Sequence, residues 1–326
     1  MEEPLWAWFA VSGAIIAMLL VDLLVVHKDA HAVTIKEAAV SSAVWITIGI
    51  AFGGVVWWML GGEKAGQYFT GYLVEKSLSV DNIFVFALLF SYFAVPAALQ
   101  HRVLFWGVVG ALVFRAIFIA LGAALLERFH WMIFVFGGFL VVTGIRMAMS
   151  KEEHVDPGRN PVVRVMRRFV PMTDSYAGQK FTVLEAGRRV ATPLLAVLVA
   201  VETTDIIFAV DSIPAVFAVT DDPFLVFTSN AFAILGLRAL YFLLADLIDR
   251  FTYLKLGLAI VLAFVGVKML LSNVWHPPGW LPLVVIAGIL TVSVWASLRA
   301  TKADFADLAD DRPMDESDDV PAADRR

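Results

Sequence analysis

Nine apolar stretches follow one another along this chain, at 5–26, 37–60, 67–93, 103–126, 131–149, 192–216, 224–245, 254–271 and 280–298. Each is close to the roughly 20 residues an α-helix needs to cross a hydrocarbon core. The pattern predicts an all-α membrane protein of about nine transmembrane helices. The makeup agrees, since 60% hydrophobic and 17% charged residues lie far from the soluble balance of about half apolar and a quarter charged. No cysteine is present, which excludes disulfides, thiolate metal sites and thiol redox chemistry within the chain. The opening Met1-Glu2-Glu3-Pro4 lacks the basic region of a secretory signal, so the first stretch is expected to remain as a helix.

Basic residues set the expected orientation. Lys28, Lys36, Arg102, Arg250 and Lys255 lie between stretches, and the segment 151–190 carries Lys151, Arg159, Arg164, Arg167, Arg168, Lys180, Arg188 and Arg189. The positive-inside rule places all of these in the cytoplasm. With nine crossings the N-terminus is then outside and the C-terminus cytoplasmic, in the plasma (inner) membrane. One polytopic domain covers 1–300, with a cytoplasmic loop at 151–190 that has room for an amphipathic helix around 162–170. The acidic tail, 301–326, is expected to be disordered. It holds much of the negative excess behind the net charge of −5, so the charge implies no nucleic acid, and the partner in view is the lipid bilayer.

The chain matches itself. At one offset Glu75 pairs with Asp205, Asp81 with Asp211, Asn82 with Ser212 and Ile83 with Ile213. After a short gap Phe114-Arg115-Ala116 pairs with Leu237-Arg238-Ala239, Glu127-Arg128-Phe129 with Asp249-Arg250-Phe251, and Arg146-Met147 with Lys268-Met269. Spans three to five, about 67–150, therefore read as a copy of spans six to eight, about 192–272. An odd number of helices per copy means that the two enter the membrane from opposite sides, the inverted repeat of many secondary transporters.

The repeat carries carboxylates into the membrane. An ionised side chain near the bilayer centre costs roughly 2.5–3.5 kcal/mol on insertion scales, so such groups face a bundle interior and serve an ion pathway. On an α-helix Glu75, Ser79 and Asn82 share a face. Asp205 and Ser212 repeat the seven-residue relation, with Glu202 one turn before Asp205. Asp81 and Asp211 lie about 100° around from their neighbours Asn82 and Ser212, and join the same site if the helices unwind or if they face a different neighbour. Pro214 gives span six a reason to kink beside Asp211 and Ser212. Carboxylates, an amide, hydroxyls and freed carbonyls are hard oxygen ligands, suited to Mn²⁺, Mg²⁺ or Ca²⁺. Asp22, Glu75, Asp81, Glu202, Asp205 and Asp211 against Lys76, Arg115 and Arg238 leave three acids uncompensated. A divalent cation, protons or both complete that balance. Arg115 and Arg238, related by the repeat, are expected to pair with these acids inside the membrane. Asp22 either caps its helix or lines the pathway, and Ser79 is a second pathway candidate.

Two longer motifs add a resemblance. Thr192-Pro193, Glu202-Thr-Thr-Asp205, Phe208-Ala-Val-Asp211-Ser-Ile-Pro-Ala215, Asp222-Pro-Phe and Thr228-Ser-Asn through Phe242, with the earlier Glu75-Lys-Ser-Leu-Ser-Val-Asp81-Asn82-Ile-Phe84, closely resemble the TerC family. The resemblance implies a membrane protein of the LysE-like transporter group, associated with tellurium resistance and similar to bacterial Mn²⁺ exporters. It puts the family's acidic positions at Glu75, Asp81, Glu202, Asp205 and Asp211.

The expectation is therefore a Mn²⁺ efflux transporter coupled to protons, with Mn²⁺ as transported substrate and no cofactor. Its expected metal ligands are Glu75, Asp81, Asn82, Glu202, Asp205, Asp211 and Ser212. The alternative is a non-transporting scaffold that recruits partners through 151–190 in a tellurite or envelope stress response. No enzyme is expected, because no nucleophile lies beside an evident base.

Overall fold

The computed structural model describes residues 4–22, 33–149, 171–173, 175–185, 187–244, 253–275, 277–278 and 280–310. The helix proposed around 162–170 lies outside the described residues, as does 311–326. Among the described residues the fold is nearly all helical: α1 (Leu5–Val21), α2 (Ile35–Leu60), α3 (Gly62–Tyr92), α4 (Ala97–Arg128), α5 (Met132–Met149), α6 (Pro193–Phe217), α7 (Pro223–Leu235), α8 (Leu237–Leu244), α9 (Leu254–Leu270) and α10 (Trp280–Asp310). The segment read as a disordered tail thus begins inside α10.

Helix starts carry ordinary local signals. Thr34 accepts from the Glu37 amide at 3.3 Å, closing the N-terminal turn of α2. Pro193 and Pro223 occupy first-turn positions in α6 and α7, where a missing N–H costs nothing. The side chain of Asp222 caps α7, accepting from Phe224 N at 3.0 Å and Leu225 N at 3.4 Å. Gly61, at φ +89°, is the sharp joint between α2 and α3, a conformation that side chains disfavour.

On length and composition alone, α2, α4, α5, α6 and α10 can each cross a membrane, and α7 with α8 makes a sixth if the pair is one span bent by 42°. The nine spans expected from sequence come down to these five or six by that measure. Helices α1 and α9 have 17 residues each, and the apolar run of the continuous helix α3 is interrupted by the charged Glu75, Lys76 and Asp81. Large apolar side chains stand exposed on the outer faces, Phe9 at 76%, Trp58 at 86% and Val142 at 62%, as hydrocarbon surroundings require.

The unwinding foreseen beside Pro214 is not there. Helix α6 runs unbroken to Phe217, with Ala218 N bonded to Pro214 O at 2.9 Å. Proline removes one donor, and so near the end of the helix little of the ladder lies beyond it. The break comes instead at Gly236, between α7 and α8.

Helices α3, α4, α6 and α7 form the centre, with α2, α8 and α1 packed around one side. Helices α5 and α9 pair on the other side, running antiparallel on small residues. A methyl group on Gly144 would stand 2.7 Å from Ala259 O, and one on Gly266 would stand 2.8 Å from Gly137 O. Part of the segment 151–190 is a hairpin, β1 (Thr182–Glu185) and β2 (Arg188–Ala191), paired from Thr182↔Ala191 to Glu185↔Arg188.

Candidate functional site

Glu75 lies 13 residues into α3, about 20 Å from its start at 1.5 Å per residue, so its side chain works at mid-bundle. Arg115 on α4 and Asp205 on α6 reach the same depth, and both are 2% exposed, while Glu75 is fully buried. One Arg115 nitrogen donates to Glu75, to Ser212 Oγ at 3.0 Å and to Asn230 Oδ1 at 3.2 Å. The other donates to Asp205 Oδ1 at 3.3 Å. Asn230, from α7, closes the ring by donating to Glu75 Oε2 at 3.0 Å.

Two carboxylates against one guanidinium leave one negative charge if both acids ionise. Asp205 Oδ2 and, one turn before it, Glu202 Oε2 are buried acceptors without a hydrogen-bond partner, and Ser79 Oγ on α3 and the Arg115 Nε donor are buried and unpartnered as well. Glu202 rests on the bare backbone of Gly110 in α4, where a Cβ would collide with its carboxylate. Among the described residues, no group of three or more His, Asp or Glu is arranged to hold a metal ion. The centre of the cluster is a guanidinium.

Of the residues singled out from sequence, Glu75, Asp205, Ser212 and Arg115 meet directly, and Ser79 and Asn82 are buried on the same helix as Glu75. Asp81 and Asp211 do not join them. Both lie in regular helix and are partly exposed, and Asp81 faces Lys255 of α9. With α6 and α3 unbroken, the 100° offset stands, and those two acids point elsewhere. Arg238 does not mirror Arg115; it pairs with Asp22, at the end of α1.

Sequence reasoning missed Asn230, although a polar Thr228-Ser229-Asn230 inside an apolar span was its visible signal. It also missed the spread of positive charge. Lys255 of α9 acts electrostatically on Asp81, which takes one acid off the count of three, while Lys268 in α9 donates to the Ala218 carbonyl at 2.8 Å.

Both ends of α3 are latched. At the start of α3, Lys64 pairs with Asp222 at 2.7 Å, and Thr220 donates to Gln67 at 2.7 Å. At its far end Tyr176 donates to Phe93 O at 2.7 Å, and Arg102 donates to Gln179 at 3.0 Å and covers the Phe181 ring. Burial raises the Tyr176 phenol above its ordinary range, which keeps it a donor. The part of the 151–190 segment that is described is therefore tied onto the α3–α4 elbow.

A model of the integral membrane protein TerC family matches residues 60–304. Membrane protein STKORF319 of Myxococcus xanthus is 52% identical over 294 residues, covering 90% of this chain and 92% of its own. Alx of Escherichia coli (strain K12), whose name proposes a membrane-bound redox modulator, is 49% identical over 311 residues, covering 91% of this chain and 96% of its own. A membrane protein of Rickettsia bellii is 36% identical over 292 residues, covering 90% and 97%. No solved structure matches the chain.

Proposed function

From the premise that this multi-pass membrane protein belongs to the TerC family, we propose that it exports a hard divalent cation, Mn²⁺, in exchange for protons. The observation that carries the reading is the surplus of buried oxygen around Arg115. Glu75 and Asp205 share a single counter-ion, and Asp205 Oδ2 and Glu202 Oε2 are left over. Buried polar groups without partners are expensive, and hard oxygen suits Mn²⁺.

In this mechanism the guanidinium is a tethered competitor of the substrate. A divalent cation entering among Glu75, Asp205, Ser212 and Asn230 displaces Arg115 and neutralises both carboxylates. When the cation leaves, Arg115 and protons take its place, which gives exchange a physical route. Glu202, Asn82 and Ser79 line the approach. Asp81, Asp211 and Asp22 serve as outlying acids on the path.

We read all nine helical units, α7 and α8 together, as crossing the inner membrane, N-terminus outside and C-terminus in the cytoplasm. The inverted repeat is part of this reading. It is supported by the α5–α9 contact, whose centre, between Gly137 and Gly144 and between Ala259 and Gly266, falls at positions that the internal match pairs. Tellurium resistance follows as a consequence of metal balance. The redox role in the name of Alx has no thiol to act through here, since the chain has no cysteine.

The test is cation flux in sealed vesicles containing the purified protein, comparing Mn²⁺, Mg²⁺ and Ca²⁺ under an imposed pH gradient. Mn²⁺ flux driven by the gradient and lost in Glu75→Gln and Asp205→Asn is the expected result. Absence of flux for all three ions overturns the reading in favour of a scaffold acting through 151–190.

A further inference from the structure

Next to the Arg115 cluster, on the neighbouring face of α3, a second positive charge is held inside the bundle. The Lys76 ammonium donates to Ala233 O at 3.1 Å. Ala233 belongs to the last turn of α7, and the span bends by 42° just beyond it, at Gly236. The final carbonyls of a helix have no intrahelical donor and carry its negative dipole end. In a bilayer no water is at hand to satisfy them. Discontinuous membrane helices commonly meet this demand by coordinating a small cation with the exposed carbonyls.

Here a side chain does so. The ammonium lies in the notch of the break, since a Cβ added to Gly236 would stand 2.9 Å from Lys76 Nζ and 3.0 Å from Trp45 Cβ. Glycine at 236 leaves the room that the ammonium fills. The adjacent residue, Glu75, is bonded to Asn230 of the same helix, so α3 stitches the end of α7 at two consecutive positions. We propose that Lys76 is a built-in cation for this broken span, seated where a free monovalent cation would otherwise bind, and that it thereby makes the fold independent of such an ion. The inference rests on the membrane-spanning fold and not on the export of Mn²⁺.

The experiment is thermal unfolding of the full chain in lipid nanodiscs, in sodium, potassium, ethylammonium or choline chloride at equal ionic strength. Wild type is expected to unfold at one temperature in all four salts. Lys76→Met is expected to unfold several degrees lower in choline and to recover in at least one of the small cations, ethylammonium being the closest stand-in for the lost group. Equal unfolding of Lys76→Met and wild type overturns the proposal, as does a loss that choline restores as well as the small cations do. If Lys76→Met does not fold, Lys76→Gln, whose uncharged amide is shorter than the ammonium side chain and leaves the notch open, replaces it. The same salt-specific recovery supports the proposal there, and its absence overturns it.

Discussion

Asn230 Nδ2 donates to Glu75 Oε2 at 3.0 Å, joining α7 to α3 across 155 residues of chain at a point that both helices bury completely or nearly so. The same amide accepts from Arg115 at 3.2 Å. Asn230→Ala therefore strands one carboxylate oxygen and removes one guanidinium acceptor. The expected loss is about 1–3 kcal/mol of stability, measured by thermal or denaturant unfolding in detergent, together with weaker Mn²⁺ flux in vesicles. Unchanged stability would show that the amide is not holding the two helices.

Arg115→Met leaves Glu75 and Asp205 buried without their counter-ion. Breaking a buried pair from one side costs about 3–5 kcal/mol. Adding Glu75→Gln to Arg115→Met is expected to restore part of that loss, a non-additivity that a double-mutant cycle in the same unfolding assay reads directly.

The acids divide by position. Glu75→Gln and Asp205→Asn, at the centre, are expected to abolish Mn²⁺ flux. Asp81→Asn and Asp211→Asn, outside the cluster and partly exposed, are expected to reduce it and to leave unfolding within about 0.5 kcal/mol of wild type. Flux measured side by side in vesicles of matched protein content decides the order, and a reversed ranking would move the site outward.

Gly144→Leu meets backbone, not a yielding side chain, because Ala259 O and Ala263 N of α9 lie where its Cβ must go. Overpacking of this kind costs about 1–3 kcal/mol. Gly138→Leu, on the same helix with nothing within 4 Å of its Cβ position, is the control and is expected to be neutral in the unfolding assay.

The two latches differ in kind. Lys64 is 39% exposed, so Lys64→Met is expected to cost under about 1 kcal/mol. Asp222→Ala loses the helix cap as well and should cost about 1 kcal/mol more. At the other end Tyr176→Phe is expected to cost about 1 kcal/mol. Burial favours the neutral phenol, so this contribution is fully present below the ordinary value of about 10 and fades as pH rises through the higher folded value. Unfolding of wild type and Tyr176→Phe across neutral and alkaline pH checks both the size and the sign.

Much of this protein was written in one dimension. The apolar stretches placed the helices, because a backbone in hydrocarbon must bond within its own segment and composition alone announces that demand. The internal match brought Glu75 and Asp205 forward as a pair, and helical spacing put Ser79, Asn82 and Ser212 beside them. Spacing along a helix, however, says which residues share a face and not which neighbour that face meets. Only packing decided that one guanidinium, Arg115, serves both carboxylates, that Asn230 completes the ring and that Arg238 turns away to Asp22. It also decided that α6 stays helical through Pro214 while the span breaks at Gly236, because a proline near a helix end forfeits one bond, whereas a notch beside a lysine can be stabilised from a different helix. The contacts behind the ring and behind the Arg238 pair join residues 40 to 216 positions apart, and no local pattern encodes them.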